Sequence, residues 1–147
     1  YIIMNYISKI INYTISFCVG IFIITYLFRL PYYLTGKNKI VNEYYIDNFA
    51  KNIPMDYIFV LIYLCIACLF IKHFKIKDTL QKIIVVALTT ILITGGFMFY
   101  FTSTKMTNNF FSRWFHNVGW KSIIYDTILL CFIYYIYLYI ENMVIHK

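Results

Sequence analysis

Four apolar runs divide the chain, at about Ile10–Phe28, Met55–Ile71, Ile83–Phe101 and Ile123–Ile140. Each has about 17 to 19 residues, or about 26–29 Å as helix, which is close to the hydrocarbon thickness of a bilayer. The polar residues gather between the runs. This pattern predicts an all-α integral membrane protein with four transmembrane helices, at about 10–30, 54–71, 82–101 and 121–140, plus short interfacial amphipathic helices. The four spans and their connections use nearly the whole chain, so residues 1–147 read as a single membrane domain with no separate soluble unit.

The connections carry their own signals. Tyr1–Lys9 reads as a short amphipathic lead-in. Pro31 is expected to stop the first span, with Arg29 snorkelling to the interface. Between Pro31 and Pro54, Ile40, Val41, Tyr44, Tyr45 and Phe49 recur at helical spacing, while Glu43, Asp47 and Lys51 form an i,i+4 series. This segment is either an interfacial helix or an ordered loop. Asp56, just after Pro54, suits the first turn of span two, where its charge faces the positive helix end. The short Lys72–Asp78 connection makes spans two and three an antiparallel hairpin. Gly95-Gly96 predicts a kink or a close helix contact in span three. In the last connection Phe110, Phe111, Trp114, Phe115 and Val118 share one helical face. Asn108 or Asn109 can cap that helix, Gly119 can end it, and Trp120 can anchor span four.

Composition agrees with the pattern. Hydrophobic residues make up 62% of the chain and the mean hydropathy is +0.71, above what a soluble domain of this size carries. The chain uses 28 Ile against 3 Ala, with 16 Tyr and 14 Phe, a usage that fits an AT-rich genome. The net charge of +7 would point to nucleic acid in a soluble protein. Here the cations lie between spans, where Lys and Arg meet lipid headgroups, so the expected partner is the bilayer and not nucleic acid. An even number of spans puts both termini on one side with Lys9, Lys72, Lys75, Lys77, Lys82 and Lys147. The other side holds Arg29, Lys37, Lys39, Lys51, Lys105, Arg113 and Lys121. That balance decides nothing, and only the dense Lys72–Lys82 stretch leans toward cytoplasmic termini. Ile10–Phe28 is too long for a signal-peptide core and lacks a small-residue cleavage site. The sequon Asn12-Tyr13-Thr14 lies in or beside a span, away from glycosylation.

Candidate chemistry is sparse. Cys65-Ile66-Ala67-Cys68 places two thiols on one helix face, as membrane thiol oxidoreductases do. However, burial in an apolar helix raises a thiol pKa, and Cys18 and Cys131 lie in other spans, where no loop pair could relay electrons. Packing is the expected role. Asp126 is an ionisable group in span four, and intramembrane carboxylates are costly and often functional. Pairing with Lys121, Arg113 or a neighbouring helix would satisfy it. Ion or proton translocation would need a second polar group at similar depth, for which Asn12, Thr14 and Thr89-Thr90 are the candidates. His73, His116 and His146 have no metal-ligand spacing, and no phosphate loop, nucleophile elbow or cofactor motif occurs. No catalytic residue, cofactor or metal is expected. Tyr134, Tyr135, Tyr137 and Tyr139 read as an interfacial anchor or packing face.

Four segments carry a family likeness: Ile53-Pro54-Met55-Asp56, Tyr100-Phe101-Thr102-Ser103, Phe110 through Gly119, and Ile124-Tyr125-Asp126. In these the chain resembles small multispanning membrane proteins of nucleocytoplasmic large DNA viruses. The resemblance covers a little over half the chain, from about Pro54 to Tyr139, and implies no catalytic activity. It implies a non-enzymatic structural protein of the virion internal membrane, linking the membrane to the capsid. The expected partners are the bilayer and capsid or other membrane proteins, with Arg113, Trp114, His116, Trp120 and Lys121 as the contact residues. Asp126 would fix the neighbouring helix. The alternative is an accessory membrane subunit of an organellar respiratory or translocation complex.

Overall fold

A computed structural model describes residues 2–145 and the side chains of residues 6–143. The expectations for Tyr1, His146 and Lys147 lie outside the described residues. Helix α1 (Ile2–Ile21) continues through a π-helical stretch, Phe22–Leu27. Two short helices follow, α2 (Leu30–Thr35) and α3 (Asn38–Asn42), the latter extended by a π-helical turn, Glu43–Asp47. The long helices α4 (Phe49–His73) and α5 (Thr79–Thr102) form a hairpin. The short α6 (Phe110–Val118) then leads into α7 (Lys121–Ile145).

Four helices are long and apolar enough to cross a membrane: Tyr6–Leu27, Phe49–His73, Thr79–Thr102 and Lys121–Met143. At 1.5 Å per residue they span about 33–37 Å, enough for a core of about 30 Å with some tilt. Their outward faces carry large apolar side chains such as Ile10, Leu61, Leu69, Leu92 and Phe99. Their inward faces bury Ser16, Thr25, Thr89, Thr90 and Thr94. A water-soluble bundle would bury apolar side chains such as Phe17, Val86, Leu129 and Ile133 just as this one does, but would cover its outward faces with polar residues. In lipid there is no gain from hiding apolar surface, so small hydroxyl residues that allow close approach share the interior with apolar ones. Ser16, Thr90 and Thr127 return their hydroxyl protons to the carbonyls of Asn12, Val86 and Ile123 on their own helices, so these three donors are met without a second helix.

The spans run up, down, up, down. Thr25 bonds Tyr125 at 2.7 Å and Gly20 meets Ile133, so α1 and α7 are antiparallel. Thr94 meets Asp126 while Ile83 lies near Cys131, so α5 and α7 are antiparallel too. The Tyr13 hydroxyl donates to the Tyr57 carbonyl at 2.5 Å and closes the ring between α1 and α4. One end of the bundle therefore holds both long connectors, α2–α3 and α6, as a cap. The other described end has only the Phe74–Asp78 turn, where Lys75 takes a left-handed conformation and Asp78 caps α5 by accepting from the Gln81 amide at 3.0 Å.

Several boundaries differ from the expected ones. Residues read as a lead-in are the first turns of α1. Arg29, in the left-handed region at φ 50°, ends the first span, and its guanidinium lies 4.7 Å from the centre of the Tyr32 ring. Pro31 does not stop that helix. It sits in the first turn of α2, where a missing N–H costs nothing. Span two starts at Phe49, so Pro54 lies inside α4. Gly95 and Gly96 interrupt nothing: α5 is continuous, and a β-carbon at Gly95 would stand an ordinary 3.8 Å from Ile123. The close helix contact is at Gly20, where a β-carbon would overlap Cγ1 of the fully buried Ile133.

Candidate functional site

The capped end is assembled from side chains distant in sequence. Asn109 caps α6 by accepting from the Phe111 amide at 2.9 Å. Gly119, at φ 58°, reverses the chain into α7. This turns the aromatic face of α6 onto the bundle. Phe101 of α5 stacks on Phe115 with centroids 5.6 Å apart and planes 8° from parallel. Tyr44 packs on Phe110 and Trp114 at 4.9 and 5.6 Å.

A bidentate ion pair joins the two connectors. Arg113 of α6 donates to both oxygens of Glu43, at 2.9 and 2.5 Å, across 70 residues of sequence. The hydrogen bond from Arg113 holds the Glu43 carboxyl below its ordinary range, and Glu43 in turn raises the already high guanidinium value. His116 ties α6 to the preceding loop: its ring nitrogens lie 2.8 Å from the Ser112 carbonyl and 3.1 Å from that of Thr104.

Beneath this cap lies a cavity of about 180 Å³. Its wall is mostly aromatic, with Tyr44, Tyr63, Phe101, Phe110 and Trp114 among the lining residues. Two carboxyl groups share it, Asp56 from α4 and Asp126 from α7. Asp56 lies seven residues into its helix and Asp126 five, about 10 and 8 Å from the respective helix starts. The Tyr44 hydroxyl donates to Oδ1 of Asp56. Burial, and after it the neighbouring Asp56, push the Tyr44 phenol far above its ordinary value, so it stays protonated as a donor. The Thr94 hydroxyl donates to Oδ2 of Asp126 at 2.9 Å, and the Tyr63 hydroxyl lies 3.3 Å from Thr94. Among the described residues the one ion pair is that of Arg113 with Glu43, and neither aspartate meets a cationic side chain.

The residues singled out from sequence separate accordingly. Asp126 takes the neighbouring-helix option, through Thr94, and not Lys121 or Arg113. Arg113 is committed to Glu43. Trp114, 8% exposed, faces inward and lines the cavity, so its ring is not offered to an outside partner. His116 is half-buried against its loop, whereas Trp120 is 61% exposed and Lys121 partly exposed at the rim. The second polar group at the depth of Asp126 is Asp56, and not Asn12, Thr14 or the Thr89-Thr90 pair. Pro54 as a helix start would put Asp56 in a first turn. Helix α4 begins five residues earlier and carries Asp56 down beside Asp126.

The four cysteines are free thiols, with Cys18, Cys65 and Cys68 exposed on the outside of the bundle and Cys131 partly buried. No group of three or more His, Cys, Asp or Glu side chains suited to a metal ion occurs among the described residues. Asp56, Phe101, Phe110, Trp114, Phe115 and Asp126, from separate stretches of the sequence, line the one cavity. Comparison with protein-family models, with curated proteins and with solved structures found nothing that matches the chain.

Proposed function

We propose that this chain is a non-enzymatic structural protein of the internal membrane of a large DNA virus, with its capped end presented to the capsid layer. The observation that carries this reading is the cap. Two connectors are locked to each other by the Glu43–Arg113 pair and to the bundle by aromatic packing, which makes a rigid platform at the bilayer surface. The rim of that platform exposes Tyr33, Met106 and Trp120 among Lys37, Lys39 and Lys105, a mixture suited to headgroups and to a docked protein. The resemblance described above supports the viral setting.

The test is proteomics of purified particles with and without detergent stripping of the membrane. Enrichment with capsid proteins, released only when the membrane dissolves, is the expected result. Absence from particles would overturn the proposal. A second reading, the accessory subunit of an organellar complex, is favoured by Phe99, Tyr100, Tyr135 and Tyr139, large aromatic side chains left exposed on the flanks. Co-purification with a respiratory or translocation complex from a mild detergent would support it.

A further inference from the structure

The cavity beneath the cap has a chemistry that the structural role does not use. Two acids from different helices line one partly open cavity. Each has one oxygen engaged by a hydroxyl, Asp56 by Tyr44 and Asp126 by Thr94, and no donor among the described residues meets the other oxygen. Arg113 of the cap is paired with Glu43, and both line a separate surface depression. The remaining wall is mostly aromatic, with Val60, Leu129 and Leu130 beside the rings, and aromatic faces carry negative potential. Space, carboxylates and an aromatic-rich lining together call for positive charge with an apolar body.

A bare metal ion does not fit. Calcium takes six to eight oxygen ligands and magnesium near-ideal octahedral geometry, and this cavity offers two carboxylates and a few hydroxyls in an otherwise apolar wall. An inorganic anion is excluded by the sign of the charge. A neutral apolar guest would cover two carboxylate oxygens without offering them a partner. A volume of about 180 Å³ is somewhat above the roughly 150 Å³ engineered cavity that admits benzene, which sets the guest at the size of a small alkylammonium.

We propose that the cavity between α4, α5, α6 and α7 binds a small organic ammonium ion, with Asp56 and Asp126 as counter-ions and Phe101, Phe110 and Trp114 as the cage. The site lies one to two helical turns inside the capped end, so the ammonium can belong to a free amine or to the headgroup of a membrane lipid. This inference does not depend on which membrane the chain occupies or on what docks on its rim.

The probe is choline, and the reporter is Trp114. The chain has two tryptophans, so full-length W120F protein in a maltoside detergent leaves Trp114 as the sole indole. Titration with choline is expected to give a saturable change in Trp114 emission. The neutral isostere 3,3-dimethylbutan-1-ol is expected to give none. D56N, D126N and F101L in the same background should each weaken choline by about ten-fold or more, the scale of a desolvated cation–π or ion contact. Circular dichroism and melting check that each variant is folded. Equal binding of the neutral isostere, or no saturable response to choline in the folded parent protein, would overturn the proposal even if the aspartate variants do not fold. Reconstitution separates the two sources. In phosphatidylglycerol vesicles both sources allow a choline response. In phosphatidylcholine vesicles the response persists if the site takes a free amine and vanishes if a lipid headgroup already fills it.

Discussion

The close approach of α1 to α7 at Gly20 gives the sharpest quantitative expectation. Gly20 is buried, and a β-carbon there would overlap Cγ1 of Ile133 and lie 3.4 Å from its Cδ1 and 3.6 Å from its Cα. The overlapping atom is not the free tip of a flexible chain. It is the inner branch of a residue with 0% exposure, and the nearby Cα fixes the helix behind it. Overpacking of this kind costs about 1–3 kcal/mol, while Gly→Ala within a helix returns about 1 kcal/mol of backbone propensity. Gly20→Ala should therefore lose about 1 kcal/mol net, in the upper part of the clash range, and Gly20→Val about 3 kcal/mol, since a β-branched residue returns less. In a chain of this size that corresponds to falls of about 3–5 °C and 10 °C or more in the melting midpoint of the detergent-solubilised protein. Ile133→Ala removes the obstructing atom, so its own cost should be smaller in the Gly20→Ala background than in the parent. The double-mutant cycle should show a favourable coupling of about 1 kcal/mol or more. A Gly20→Val protein that melts with the parent, or additive effects in the cycle, would refute the contact.

Three further outcomes are expected. Glu43→Gln should speed amide exchange across α6. The pH dependence has a definite sign: the Glu43 carboxyl is depressed by the Arg113 hydrogen bond, so its contribution is complete above the ordinary carboxylate value of about 4.3. That contribution is lost as pH falls through the lower folded value. Protection of α6 should hold at pH 5, decay below about pH 4 in the parent, and show no such step in Glu43→Gln. Asn109→Ala removes the side-chain cap of α6 and should cost about 1 kcal/mol of cap stability, read as faster exchange at Phe111 and Ser112 with the four spans unaffected. Protein unfolded in dodecyl sulfate without reductant should titrate as four thiols; a count of two would restore the redox reading of Cys65 and Cys68.

Much of the architecture was legible because the bilayer imposes it. Apolar runs long enough to span hydrocarbon must be helices, and Asn109, Gly119 and the aromatic face of Phe110–Val118 define α6 through local rules that hold here. What was not legible depends on depth and on distant partners. Proline is tolerated in the early turns of a helix, so Pro54 marks a false start for α4 that puts Asp56 in a first turn. Arg113 read as a headgroup contact because its partner, Glu43, lies in another connector. Trp114 read as an outer contact because a periodic face shows which residues go together but not whether they turn toward lipid or toward the bundle. The cavity needs all of these at once: the true start of α4, the folding back of α6 and the arrival of Tyr44. The clearest available signal was the pair of aspartates, each near the start of an apolar run, and it was divided between two separate local explanations.

The hydroxyl of Thr94 has a consequence for the order of protons at the cavity wall. A threonine has one proton to give, and Thr94 gives it to Asp126. The neighbouring Tyr63 hydroxyl, 3.3 Å away, must then be the donor in that pair, so the sequence Tyr63, Thr94, Asp126 is polarised in a single sense that ends on the carboxylate. Serine at position 94 preserves this sense. Valine, nearly the same shape, would leave Tyr63 without its acceptor and Asp126 without its donor, converting a one-way chain of three groups into two buried polar ends with nothing between them.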